Sequence, residues 1–369
     1  MTASSTAPSN VPGSAGAGAF PYRLVREGLL MSPEPGNPDE AEGVLNPASG
    51  RGPDGELYLF PRLVAAGNVS RIGVARVEVV DGVPRGVERL GIALQPDRSW
   101  ERGAANAGTE DPRLTWIEAL GLHVMTYVAY GPLGPRTAVA ISSDLKRWQR
   151  LGPVLYRYDD DHDVDLNLFH NKDTAFLPEP VVAPDGVLSL AVLHRPMWDL
   201  SEIRAGEREG TPAFLAESRQ SIWMSFVPLA DVQQDPAALT LWRGHRFVAG
   251  PEFDYEEVKI GGGPPPVRVP EGWLMLHHGV TGVINHAFEQ QQNVNYAAGG
   301  MILDAEQPWR VLQRSSEPLL AAETDEERNG IVPNVVFPTA IERIGSELFV
   351  FYGMADSQIG VARIVRDQP

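Results

Sequence analysis

One pattern recurs along the chain and constrains its fold more than any other feature. A glycine or turn opens an alternating apolar run, a short break follows, and a second alternating run rich in Ala, Val and Ile comes after it. It appears at residues 55–77, 121–141, 272–303 and 345–364, and in a stretched form at 186–226. Alternation with β-branched and aromatic enrichment is the signature of strands, and the breaks carry hairpin chemistry. The copies start about 65 to 85 residues apart, enough for a four-stranded unit with elaborated loops. Five such units predict an all-β chain folded as a five-bladed β-propeller, because radial closure protects many short antiparallel strands from exposed edges. The last unit ends close to the C-terminus, so an N-terminal strand is expected to complete a terminal blade. A two-sheet sandwich explains the strands equally well but not their regular recurrence. Helical periodicity is weak; residues 229–239 and 323–329 are expected to form one or two turns.

Composition supports this reading. The 37 Gly and 32 Pro among 369 residues favour turns and short strands over long helices. The first twenty residues are mostly Ala, Ser, Gly and Pro, so 1–22 is expected to be a flexible tail and 23–369 a single catalytic domain. The start resembles no signal peptide, and no apolar run reaches the roughly 18 residues of a membrane span. A cytoplasmic location is expected, which leaves the Asn68-Val69-Ser70 sequon unused. With 48 acidic against 31 basic residues, the net charge of −17 opposes nucleic acid or an anionic membrane as partner. The absence of cysteine excludes disulfides, thiolate metal sites and a Cys nucleophile.

In a propeller, ligands bind where the inner strands converge. Polar clusters stand at comparable points of each unit: Asn46, Arg62, Asn68-Ser70-Arg71, Glu110-Asp111-Arg113, Asn171-Lys172-Asp173, His194-Arg195, Lys259, His277-His278, Asn334 and Asp356. Both signs of charge are present. Carboxylates accept sugar hydroxyls while Arg, Lys and His hold an oxyanion, a mixture suited to a glycan with an anionic co-substrate. Neighbouring residues on a strand point oppositely, so at most one of His277 and His278 faces the ligand. Gly261-Gly262-Gly263 precedes prolines, not a helix, so it is no nucleotide loop and is expected to let backbone approach the ligand. The acidic run 159–165 lacks the spacing of a calcium loop, and no metal is expected. Of the tryptophans, Trp198 is the best placed to stack on a sugar.

Around these residues the chain resembles glycoside hydrolase family 130, the β-mannoside phosphorylases and mannosidases. The motifs NPA, SRIGVA, EDPR with MTYVAYG, NKD with LPE, HRP, KIGGGPPP, HHGV, PNVVFP and FYGMADSQIGVA follow in that order across residues 44–363. The resemblance implies a five-bladed propeller that cleaves β-1,2- or β-1,4-linked mannosides by inverting phosphorolysis, giving α-mannose 1-phosphate. It implies Asp111 as the proton donor, acting through a sugar hydroxyl. Sugar binding would fall to Asn46, Arg62, Ser70, Glu110, Arg113, Tyr296 and Asp356. Phosphate would be held by Asn171, Lys172, Arg195, Lys259 and His277 or His278. Inorganic phosphate is then a co-substrate and no cofactor is needed; the partners are small molecules, with a homo-oligomer left open.

Two alternatives stand beside this. A β-mannosidase on the same scaffold would need a second carboxylate with room for water, for which Glu179, Glu252 and Glu327 are candidates. A non-catalytic glycan-binding propeller would have no use for an acid in EDPR. The basic residues at the phosphate positions favour phosphate over water.

Overall fold

The computed structural model describes residues 19–160, 163–198, 215, 217–284 and 291–367. Within these the chain is nearly all β, laid down as five successive antiparallel runs of four strands. The first holds Gly43–Arg51, Leu57–Ala65, Val69–Val80 and Val83–Leu94; the second Ala107–Ile117, Leu122–Gly131, Gly134–Ser142 and Gln149–Pro153. The third holds His170–Phe176, Leu188–Met197, Ile222–Pro228 and Leu241–Ala249; the fourth Lys259–Gly262, Gly272–Gly282, Val294–Leu303 and Val311–Arg314. The fifth contains Val336–Ile344, Glu347–Met354 and Gln358–Arg366, and its fourth strand is Tyr22–Met31 from the other end of the chain. An N-terminal strand therefore completes the last unit, as expected. Residues 1–18 of the expected tail lie outside the described residues; Phe20 packs on the apolar cluster that buries Tyr22, where the strand Tyr22–Met31 begins.

The recurring sequence pattern corresponds to the two middle strands of each unit. Except for the outer half of Val69–Val80, those strands are largely buried on both faces, so they keep an apolar, β-branched composition. Five apolar clusters lie between consecutive units. One joins Phe60 and Ile72 of the first unit to Met125 and Tyr127 of the second; the next joins Val139 and Ile141 to Trp223 and Trp242 of the third. Met224 meets Trp273 and Met275, Leu274 meets Val350 and Tyr352, and Phe349 and Phe351 return to Val44 and Leu59 of the first unit. Trp198 belongs to the second of these clusters, buried edge-on against Phe169 and Trp223, so the expectation that it meets a sugar is corrected.

Units one and two also share a parallel bridge, Ser70 opposite Gly108. A Cβ at Gly108 would lie 2.1 Å from the Ser70 carbonyl oxygen, so only glycine allows this junction. Among the described residues, helix is confined to short pieces. Leu229–Gln234 runs into the turn Pro236–Thr240, where Asp235 caps the Ala237 amide, and Asp325–Arg328 makes one turn. No helix among the described residues is long and apolar enough to cross a membrane.

Candidate active site

The first strands of units one, two and three share one irregularity. Their pairing slips between Leu45 and Ala48, between Glu110 and Arg113, and between Lys172 and Ala175. Each slip holds an Asn or Asp in left-handed backbone: Asn46 (φ 43°), Asp111 (φ 43°) and Asp173 (φ 55°). Asn and Asp tolerate this region better than other side-chain-bearing residues, and a bulge re-aims a side chain out of the pleat. Asp356 (φ 49°) enters from the last hairpin turn of unit five.

These residues build a charged cluster. Asp111 Oδ1 accepts from Asn46 Nδ2 at 2.9 Å and from Arg62 Nη1 at 3.2 Å. Arg62 donates further to Glu110 at 3.1 Å, to Asn68 Oδ1 at 3.1 Å and to Ser70 Oγ at 2.8 Å. Lys172 Nζ lies 3.4 Å from the other Glu110 oxygen, so Glu110 bridges two cations. Burial works to raise the Asp111 carboxyl, but Arg62, Lys172 and Arg113, with the Asn46 hydrogen bond, outweigh it and hold it below the usual range. Asp356 lacks such compensation: burial first, then Asp111 and Glu110, push it up to about 6 against Arg62 and Lys172.

The second half of the cluster is built on units three and four. Arg195 Nε donates to Asp173 Oδ2 at 2.5 Å, and its Nη1 reaches Gln220. His278 Nε2 stands 3.7 Å from the same Asp173 oxygen, with its ring 4.4 Å from Phe337 and 5.7 Å from Tyr296. Lys259 Nζ lies over Tyr296 at 5.5 Å. Burial, then Arg195 and Lys172, pull the Lys259 ammonium down to about 7 despite Asp173 and Asp356. Burial takes His278 down to about 3, so it offers an anion a hydrogen bond rather than a charge.

Several expected residues stand apart from this cluster. His277 points to the opposite side of its strand, with Nε2 2.7 Å from Glu256 Oε1. The Asn171 amide is 3.0 Å from His194 Nδ1, turned into the interior of unit three. Arg113 is buried and donates to the carbonyls of Gly263, Asp111 and Pro112, which makes it a brace between units two and four. Ser70, by contrast, is buried within the cluster, where its Oγ accepts from Arg62 Nε. Of the proposed water-activating carboxylates, Glu179 is exposed, Glu252 pairs with Arg314, and Glu327 is buried against Arg26 and Tyr352; none joins the cluster. Gly261 makes room for protein: a Cβ there would lie 2.2 Å from the Asp173 carboxylate and 2.5 Å from the His278 ring. Asp173 is the member that the sequence placed in a polar cluster without giving it a role. Its place in the first strand of its unit, matching Asn46 and Asp111, is the signal that marks it.

Residues 215–368 match a family model described as β-1,4-mannooligosaccharide phosphorylase. The β-1,2-mannobiose phosphorylase of Thermoanaerobacter sp. strain X514 is 30% identical over 303 residues, which cover 81% of this chain and 78% of that one. The β-1,4-mannooligosaccharide phosphorylase of Ruminococcus albus is 35% identical over 133 residues, 36% of this chain and 37% of its own. The solved structure of Listeria innocua β-1,2-mannobiose phosphorylase, in complex with β-1,2-mannobiose, shares the fold. Its TM-score is 0.66 at 20% identity, covering 94% of this chain and 97% of that one. A relative matched along four-fifths of the sequence, together with the family model over the C-terminal part, makes this chain a member of glycoside hydrolase family 130.

Proposed function

We propose that the chain is a five-bladed β-propeller that cleaves a β-mannoside by inverting phosphorolysis. The ring of five apolar clusters, with the fifth unit returning to the first, supports radial closure. One observation carries the chemistry: a held carboxyl, Asp111, shares a cluster with Lys172, Arg195 and Lys259 from units three and four. Phosphate is already anionic and nucleophilic, so the protein must gather it and orient it rather than deprotonate it. Its oxygen attacks the anomeric carbon opposite the leaving group, the glycosidic C–O bond breaks, and the leaving oxygen takes a proton from Asp111, relayed through a sugar hydroxyl. In the free site Asp111 is ionised. A phosphate dianion beside Lys172 and Lys259 offsets the cations that depress it, so binding the co-substrate favours the protonated acid. The other carboxylates are committed to neighbours or, in Asp356, lie across the cluster.

Incubation with β-1,2- and β-1,4-mannobiose, with and without phosphate, tests the reading. Mannose 1-phosphate should form only with phosphate present. Rapid release of free mannose in phosphate-free buffer would make the enzyme a mannosidase and turn the search for a base to Asp356.

Lys259 provides a second test. Arg195→Ala would also take the closest partner from Asp173, whereas no carboxylate among the described residues pairs with Lys259, so Lys259→Ala is the cleaner probe. A charge-assisted contact contributes about 1.5 to 3 kcal/mol, so the phosphate KM should rise about ten- to a hundredfold, with mannoside KM much less affected. The wild-type phosphate KM should also climb as pH rises through 7, where Lys259 loses its charge, and the variant should lose this component. Equal changes in both KM values would remove Lys259 from the phosphate site.

A further inference from the structure

A cavity of about 950 Å³ lies at the far ends of the strands that carry Asn46 and Asp111. Gly43–Arg51 carries Asn46 near its middle and borders this cavity with Ser49 and Arg51 at its end; Ala107–Ile117 carries Asp111 near its middle and borders it with Thr115 and Trp116 at its end. No residue of the Asp111 cluster lines it. Buried Arg113, bonded to the Gly263 carbonyl at 2.8 Å, stands between Asp111 and Thr115 on its strand, and buried Thr339, bonded to the Pro47 carbonyl at 2.7 Å, lines the cavity.

Its chemistry selects a ligand. Trp116 is 46% exposed, and its ring lies 4.6 Å from that of His123, its cross-strand partner. His123 is buried and its Nδ1 has no partner among the described residues. The Glu342 carboxylate accepts from Ser49 Oγ at 2.8 Å, leaving a second oxygen for a donor. Burial raises Glu342 to about 7, against Ser49 and Arg51, which disfavours a ligand that adds negative charge. The rim arginines are turned to backbone carbonyls: Arg51 to Gly55 and Arg343, and Arg343 to Ser346. A flat apolar face for the indole and a hydroxyl for Glu342 describe a neutral sugar ring, and Pro53, Pro178, Pro265 and Pro266 give the cavity stiff walls.

We propose that this cavity binds a neutral pyranose, stacked on Trp116 and hydrogen-bonded to Glu342, as a site separate from the Asp111 cluster. The inference does not depend on the cleavage reaction, and its test reads binding alone. D-Mannose and cellobiose, neither of them a β-mannoside, are titrated into the full chain while the indole N–H signals are followed by NMR, the Trp116 signal being assigned by its loss in Trp116→Ala. Either sugar should shift the Trp116 signal, and preference for one names the sugar. Loss of the stacking platform should weaken that sugar about fivefold or more, by the worth of an aromatic contact. Glu342→Gln, which keeps the shape, should weaken the shift of the Trp116 signal while leaving any cleavage of mannobiose within about twofold of wild type, since the two sites share no residue. An unmoved Trp116 signal with both sugars, or a shift produced by inorganic phosphate and not by sugar, would overturn the proposal.

Discussion

Asp111→Asn should lower turnover by a factor on the order of 10² to 10⁴, the range expected when a general acid is lost. The amide keeps an oxygen where Oδ1 accepts from Asn46 and Arg62, so the cluster keeps its geometry and the protein its fold. Asn at this position is also compatible with the left-handed backbone, as Asn46 shows. Mannoside KM should change much less than kcat, because the lost interaction acts on the leaving oxygen in the transition state. The pH profile separates an acid from a merely structural carboxylate. In the loaded enzyme Asp111 must carry its proton, so kcat falls as pH rises through its value in the complex, and that alkaline limb should vanish in the variant. Near-normal turnover in a folded Asp111→Asn protein would move the acid to Asp356, whose carboxyl already sits at about 6.

The largest effect on stability is expected at Glu256, away from the reaction. Its fully buried carboxylate accepts from Arg314 Nη2 at 2.9 and 2.8 Å, lies 2.7 Å from His277 Nε2, and accepts from the amides of Glu252 and Phe253 at 2.8 and 3.2 Å. Removing it takes the buried partner from a guanidinium that keeps only Glu252 and the Gly250 carbonyl, and also from an imidazole and two amides. Glu256→Ala should therefore cost about 3 to 5 kcal/mol in chemical denaturation. Burial alone would raise this carboxyl, yet His277, Arg314 and the amides hold it down at about 2 against an ordinary 4.5. A depressed carboxylate stabilises the fold above its unfolded value. The contribution, about 3 kcal/mol at 1.36 kcal/mol per unit, is therefore complete above pH 4.5 and is lost as pH falls toward 2. Wild type should lose stability across that interval and the variant should lose less. Equal stability of the two proteins at pH 7 would show that Arg314 and His277 find other partners.

Part of the site was legible because its residues obey local rules. Asn46-Pro47 and Asp111-Pro112 place an Asx residue where a strand must bulge, and Asn and Asp are the side chains that accept the backbone a bulge imposes. Asp173 follows the same rule but precedes Thr, so the Pro that flags the other two is missing. For His277 and His278 the alternation of a strand says that they part, but not which way each turns. Both are buried; Glu256 and Arg314 claim one side of the strand, and Asp173 with Arg195 the other.

By itself the sequence determined the all-β character, the five hairpins and the order of polar clusters along them. A middle hairpin buried on both faces must be apolar with a period of two, and that is a property of neighbouring residues. The inner strands escaped the pattern because their bulges and polar residues break the alternation. Only the tertiary structure decided that Tyr22–Met31 closes the unit made by Gln358–Arg366, that Arg195 meets Asp173 rather than solvent, and that Arg113 braces Gly263 across 150 residues. It also decided that Trp198 is core while Trp116 is bare. Such outcomes depend on which units lie side by side. Burial, partner and protonation state are set by groups far apart in the chain, and no local period encodes them.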